Sequence, residues 1–288
     1  MSAEKTEAIN WMNLPEEYRG DNSAFLIIPL PFEHNPTFGA GANKGPEAII
    51  EASEHLEYYD EQFDCEPFEK GIRVLKTPEL PADPEKMAAT VSEESKKYLG
   101  KFVIGLGGDH AVTIGLAQDL PDDVNVLILD AHPDMKFSWN GSQYNHACVA
   151  RRLCTKRKVG IVGVRSMDVD EAKDIEKNEN VRIIKAYENS EDALDELLDF
   201  LGDKVYISLD VDVFDPAFLR STGTPEPGGF SWDQVIAILA RVFEHSAVVG
   251  ADIVEFSPEG PSSRAEAFSL AKLAYKLMAL AMKRADIK

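Results

Sequence analysis

Apolar and polar positions along this chain follow two alternating beats. Short, continuous apolar runs at residues 25–30, 72–75, 102–106, 124–129, 159–162, 181–184, 205–209 and 247–251 have the length expected of buried strands. Between them the apolar spacing lengthens to that of helices. The loop 29–45 is rich in Pro and Gly, and Pro46 then opens a helix to about residue 59 on the pattern Ala48, Ile49, Ala52, Leu56. Asp83-Pro84 is a cap-and-first-turn signal for a helix to Tyr98. Further helices are predicted over 147–154, 168–177 and 190–201. Ser231 with Gln234 is a capping box before a helix to about Phe243, and Ser263 with Glu266 is expected to cap a long terminal helix. Strands alternating with helices over the whole length predict an α/β fold: a parallel sheet of about eight strands with helices on both faces, three layers in all. A closed eight-stranded barrel would satisfy the same pattern.

No linker, repeat or low-complexity tract interrupts this beat, so residues 1–288 are expected to form one domain behind a polar N-terminal leader, residues 1–22. A chain of this length, 44% apolar, can bury roughly three quarters of its unfolded surface. The formal net charge of −20 disfavours nucleic acid and anionic membrane surfaces as partners. Neither the leader nor the apolar stretch 271–282, broken by Lys272 and Lys276, reads as a signal peptide or membrane span. Three cysteines with no C-x-x-C pair suit a reducing compartment, and a cytoplasmic location is expected. Cys148 lies close to a His and could be a thiolate nucleophile; a small buried hydrophobe is the reading favoured here.

The chemistry gathers where strands end. The run Val126-Leu127-Ile128-Leu129 stops at Asp130-Ala131-His132-Pro133-Asp134, and a proline there cannot continue a central strand. Two carboxylates and an imidazole should therefore project from the strand's carboxyl end, where open α/β sheets place their sites. The third strand ends in Gly107-Gly108-Asp109-His110, whose glycines allow a sharp turn. A dinucleotide cradle fails there, because His110 stands at the third fingerprint glycine. The seventh strand ends Asp210-Val211-Asp212, where strand alternation would put both carboxylates on one face. Such a pair repels unless a cation lies between its members. The eighth strand adds Glu255. His110, Asp130, His132, Asp134, Asp210 and Asp212 exceed what one ion normally takes and fit a two-metal site. Carboxylate-rich ligation favours Mn over Zn, with Ni or Co as alternatives.

These motifs, together with Thr222-Gly223-Thr224-Pro225-Glu226-Pro227-Gly228-Gly229, Gly163-Val164-Arg165-Ser166 and the segment from Thr37 to Ser53, resemble the signature set of the ureohydrolases, the arginase and agmatinase family. The resemblance implies an arginase-like fold, a homotrimer or homohexamer, and two Mn²⁺ per subunit. It implies one ion on His110, Asp130, Asp134 and Asp210, and the other on Asp130, His132, Asp210 and Asp212. Glu255 would pair with a substrate guanidinium, His146 would shuttle protons, and Asp134 would hand a proton from the attacking hydroxide to the leaving amine.

Asn145-His146-Ala147 looks more like the agmatinase branch than the arginases, which implies a small cationic guanidino substrate, agmatine, cleaved to putrescine and urea. Arg220-Ser221, where the family usually has Pro-Gly, departs from its pattern. Thr224 and Asp168 are candidates for contacts with the substrate's tail, though Asp168 also makes good sense as the acidic start of a helix. Arginine, guanidinobutyrate, guanidine or formiminoglutamate would use the same centre. From other classes, a single-zinc deacetylase-like enzyme would leave ligands unused, and a metal-stabilised or polyamine-binding oligomer would bind without releasing urea.

Overall fold

A computed structural model of the chain describes residues 10–260 and 262–284. Eight strands form one sheet: β1 (Phe25–Leu30), β2 (Ile72–Val74), β3 (Phe102–Gly107), β4 (Asn125–Leu129), β5 (Val159–Val164), β6 (Val181–Lys185), β7 (Lys204–Asp210) and β8 (Ala247–Val254). Their order is β2-β1-β3-β8-β7-β4-β5-β6, and every pairing is parallel. The sheet is open, with β2 and β6 at its edges, so the barrel does not form.

Side chains on alternate positions feed two cores, one on each face. Phe25 and Ile27 of β1, Leu127 and Leu129 of β4 and Val205, Ile207 and Leu209 of β7 pack on one side, with helices α1 (Gly45–Ser53), α6 (Glu191–Leu201), α7 (Trp232–His245) and α8 (Ser263–Lys283). Leu26 and Ile28 of β1 and Val126 and Ile128 of β4 pack on the other, with α2 (Pro84–Lys96), α3 (Val112–Ala117) and α4 (Val149–Leu153). The remaining helix, α5 (Val169–Lys177), follows β5. Strands buried on both faces are why the sequence shows continuous apolar runs rather than alternation.

The N-terminal caps follow the expected chemistry at three places. Asp83 accepts the N–H of Lys86, and both Asp168/Glu171 and Ser231/Gln234 form complete capping boxes. The terminal helix departs from expectation. Ser263 Oγ donates instead to the carbonyl of Gly260, and Glu266 accepts from the N–H of Arg220, so the two residues tie neighbouring loops and do not cap α8. Helix α1 ends at Ser53, short of residue 59, because the chain turns through His55 and Leu56 into a loop held by Asp60. The short, wholly buried α3 carries no sequence signal of its own. Of the leader, residues 1–9 lie outside the described residues; Trp11, Met12 and Leu14 are buried in the core, and the Met12 N–H donates to Ser53 Oγ at 2.9 Å.

The loop after α1 is fastened by a buried ion pair, Lys276 Nζ to Asp60 Oδ1 at 2.9 Å, with Asp60 also accepting the N–H groups of Gln62 and Phe63. Removing one partner of such a pair strands the other charge in the core. Asp60→Ala is expected to destabilise the chain by roughly 3–5 kcal/mol, read from denaturant unfolding. An unchanged midpoint would show that the pair contributes nothing to stability.

Candidate metal centre

The four central strands β3, β8, β7 and β4 are neighbours in the sheet, and their carboxyl ends deliver every candidate ligand. After β3, Gly108 lets two chain segments touch: a Cβ there would lie 1.8 Å from the carbonyl oxygen of Phe32. Gly108 is needed for this close approach, not for a left-handed turn. The closure sets Asp109 N–H on the Phe32 carbonyl and leads directly into His110. After β4, the Asp130 N–H stays on the Val162 carbonyl of β5, and the chain then breaks away through Pro133. Strand β7 stops at Asp210, and Val211–Val213 is one turn of 3-10 helix, with the Asp212 N–H donating to Asp210 Oδ1 at 2.9 Å. It is this turn, not strand alternation, that brings the two carboxylates together.

The ligand atoms form two triads that share one carboxylate: His110, Asp130 and Asp134; and Asp130, His132 and Asp212. Nδ1 of His110 lies 3.2 Å from Asp130 Oδ2 and 3.0 Å from Asp134 Oδ2, with Asp210 Oδ2 beside them at 3.4 Å. Nδ1 of His132 lies 2.9 Å from Asp212 Oδ2 and 3.5 Å from Asp130 Oδ1. The aspartates are aimed by backbone amides, since Asp212 Oδ1 accepts from Ala131 N–H and Asp130 Oδ1 from His132 N–H. Yet His110 Nδ1 and Asp130 Oδ2 are buried and have no hydrogen-bond partner. Buried polar atoms left this way are what a cation would satisfy, and mixed imidazole and carboxylate ligation suits divalent transition ions.

Charge supports the same reading. Burial and the neighbouring Asp212 carboxylate push Asp210 well above the usual carboxylate range, and burial with Asp130 lifts Asp134 to about 7. Although burial works against charging its ring, the Asp130 and Asp212 carboxylates push His132 up to about 12. His110 is likewise raised against its burial, by Asp130 and Asp134. Raised imidazoles and raised carboxyls alike favour protons on this cluster, the response of crowded carboxylates to a need for positive charge. Divalent cations would replace these protons.

Backbone strain marks the same place. Asp134 at φ 49° and Glu255 at φ 66° both hold the left-handed region, at a cost of order 1–3 kcal/mol for such a residue. Glu255 is kept there by its own N–H on the Gly108 carbonyl and by its Oε1, which accepts the His110 N–H at 2.6 Å.

A cavity of about 380 Å³ opens over the centre. Its walls include His110, His132, Asp134, Asp210, Asp212 and Glu255, and also the other predicted site residues His146, Thr224 and Asp168. Nε2 of His146 lies 2.9 Å from Thr37 Oγ1, and burial, reinforced by the rings of His110 and His132, lowers the His146 imidazole to about 4. Asp168 has its oxygens engaged already. Oδ1 caps α5 through the N–H groups of Asp170 and Glu171, and Oδ2 pairs with Lys136, which also reaches Glu171 and lies over the ring of Trp139. Cys148 is buried and burial raises its thiol to about 11, which fits a small hydrophobe and not a thiolate. All three cysteines are free.

Three supporting groups are not among the predicted site residues. Arg165 fans its guanidinium across the carbonyls of Asp212, Phe214 and Glu226, tying the exit of β7 to the loop that carries Thr224. Glu33 Oε1 receives the N–H groups of Gly41 and Ala42, closing a loop at the cavity's rim. Behind His110, Nε2 meets Ser208 Oγ at 3.0 Å, and Asp252, wholly buried, accepts from both Ser208 and Tyr206. Ring-nitrogen partners of this kind fix a ligand imidazole's tautomer and orientation.

An open parallel sheet whose central strand ends present two Asp/His triads sharing one carboxylate is a scaffold with the donor atoms for divalent cations. The sequence pattern of the arginase family matches residues 23–280, and the chain belongs to that family. It is 38% identical over 249 residues to the N(1)-aminopropylagmatine ureohydrolase of Thermus thermophilus, spanning 83% of this chain and 85% of the relative. It is 35% identical over 238 residues to the agmatinase of Pyrococcus horikoshii, spanning 81% and 83%. The solved structure of the agmatine ureohydrolase of Thermoplasma volcanium superposes with a TM-score of 0.83 at 31% identity, covering 91% of each chain. The chain is an agmatinase-like amidinohydrolase, a C–N hydrolase of the ureohydrolase kind.

Proposed function

We propose that the chain hydrolyses a guanidino compound with a cationic tail, agmatine foremost, to urea and the free amine, with two Mn²⁺ held by His110, Asp130, His132, Asp134, Asp210 and Asp212. The observation that carries this reading is the pair of triads sharing Asp130, whose other members line the same cavity as Glu255. Two divalent cations, when bound, make a nucleophilic hydroxide available near neutral pH, which a weakly electrophilic guanidinium carbon requires.

The chain's own residues do the rest. Glu255 receives the guanidinium through charge-assisted hydrogen bonds and fixes its carbon over the centre. Asp134 takes up a proton at its carboxylate and hands it to the departing amine nitrogen. His146, at the cavity wall, moves protons between site and solvent. Apart from the residues of the centre itself, the cavity lining carries Glu33, Asp168 and Glu171 against Lys136, a negative balance that favours a cationic tail over the carboxylate of a guanidino acid. A second reading is N(1)-aminopropylagmatine as substrate. It rests on four relatives of that name at 34–38% identity. Assembly as a homotrimer or homohexamer belongs to the same reading and is open to light scattering. No helix among the described residues is long and apolar enough to cross a membrane.

The test is urea release from agmatine, N(1)-aminopropylagmatine, arginine, guanidinobutyrate and guanidine, with metal-stripped protein and after restoring Mn²⁺, Ni²⁺ or Co²⁺. Metal-dependent urea from agmatine is the expected result; urea from another member alone would move the substrate, and urea from none would sink the proposal. A second prediction concerns protons. Because the neighbouring carboxylates raise His110 and His132 well above the ordinary imidazole range, Mn²⁺ uptake is expected to displace protons, and affinity to keep rising with pH through and beyond that range. Titration calorimetry in buffers of different ionisation enthalpy reads this directly. Identical heats in all buffers would contradict it.

A further inference from the structure

The loop 33–42 is pinched at its base by Glu33, and its tip reaches across the cavity rim. There the Gly39 N–H donates to the Gly223 carbonyl at 3.0 Å, and Asn140 Nδ2 reaches the Asn35 carbonyl. At the centre of these ties stands Thr37. The indole N–H of Trp139 donates to Thr37 Oγ1 at 3.3 Å, and the same oxygen lies 2.9 Å from His146 Nε2. Thr37, Trp139 and His146 all line the cavity of the metal centre, and their sequence separations exceed one hundred residues in two of the three pairings.

An indole N–H can only donate, so Trp139 takes one lone pair of the hydroxyl and leaves it one proton and one lone pair. That remainder is what a proton-carrying imidazole needs beside it. Toward neutral His146 the hydroxyl donates its proton to Nε2; toward the imidazolium it rotates and accepts the Nε2–H with its free lone pair. Neither state requires a heavy atom to move. The incoming indole N–H also polarises the hydroxyl and strengthens its donation.

We propose that Thr37 is a positioning residue for His146, holding the ring in one orientation through both of its protonation states, with Trp139 orienting Thr37. The inference rests on the assignment of His146 as proton carrier and adds the group that aims it. Thr37→Val removes the hydroxyl and keeps the shape, while Thr37→Ser keeps the hydroxyl.

With Mn²⁺ and agmatine, Thr37→Val is expected to lower kcat by about tenfold or more while KM stays within about twofold, the scale of loss seen when a partner that orients an active-site group is removed. Thr37→Ser is expected to recover most of kcat, and Thr37→Val is expected to cost nothing further in a His146→Ala background. In metal-stripped protein, the ¹⁵N resonances of the His146 ring, assigned from their absence in His146→Ala, are expected to shift in Thr37→Val and to hold in Thr37→Ser. Unchanged kcat and unchanged His146 resonances in Thr37→Val would overturn the inference. So would a Thr37→Ser chain as impaired as Thr37→Val, since loop packing would then be the cause. Wild-type turnover in His146→Ala would instead remove the proton-carrier assignment on which the inference stands; loss in His146→Ala with none in Thr37→Val would overturn the inference alone.

Discussion

Asp130→Asn is expected to lower turnover by more than about a hundredfold, beyond the 10–100-fold range typical of residues that only support metal ligands. Asp130 is the one residue common to both triads, and its two oxygens face different histidines, Oδ2 toward His110 and Oδ1 toward His132. An amide can place a neutral oxygen on one side only. On the other it presents an N–H₂ group to a cation. The loss should therefore appear in metal content as well as in rate, with fewer ions retained per chain by elemental analysis after desalting. The substitution should leave the fold intact, because the Asp130 main chain is held independently, its N–H on the Val162 carbonyl of β5. Full metal content with undiminished turnover would show that the two triads do not share this carboxylate functionally.

Glu255→Gln carries the second large effect, and it separates substrate binding from metal binding. The glutamine oxygen can still accept the His110 N–H, as Oε1 does at 2.6 Å, so the left-handed backbone and the strand end keep their support. What disappears is the negative charge available to a guanidinium. Burial and the nearby Asp109 raise the Glu255 carboxyl well above its ordinary range, and a cation beside it favours the charged form. Loss of one preorganised charge partner at the reacting group is expected to reduce kcat/KM by about 10²–10³-fold while metal content stays at the wild-type level. Urea-release kinetics with elemental analysis of the same sample check both halves. A Glu255→Gln chain with wild-type kcat/KM would remove Glu255 from substrate recognition.

Much of the centre is legible in the sequence because the chemistry is written contiguously. Asp130 to Asp134 and Asp210 to Asp212 stand directly after apolar runs, and a buried parallel strand makes such a run easy to read. The convergence of four strand ends is less local, and it follows from the parallel sheet itself: every strand in it ends on the same edge.

Capping and ligation, by contrast, use the same residue types. Asp168 reads equally as a partner for a substrate ammonium and as a helix start; in the fold its oxygens serve α5 and Lys136. Ser263 and Glu266 have capping-box spacing, but the loops around Gly260 and Arg220 claim both side chains. Hidden altogether are contacts between distant segments: Asp60 with Lys276, Ser208 with Asp252, Thr37 with His146. Nothing in the local spacing of these residues announces a partner, because the pairing is made by the crossover topology that lays one segment on another.

The most direct measurement is an anomalous-scattering difference map at the manganese edge from crystals of the Mn²⁺-reconstituted protein. Two peaks are predicted, one against His110 and Asp134 and one against His132 and Asp212, with Asp130 between them. A single peak, or none within reach of Asp130, would contradict the binuclear centre on which the proposed hydrolysis rests.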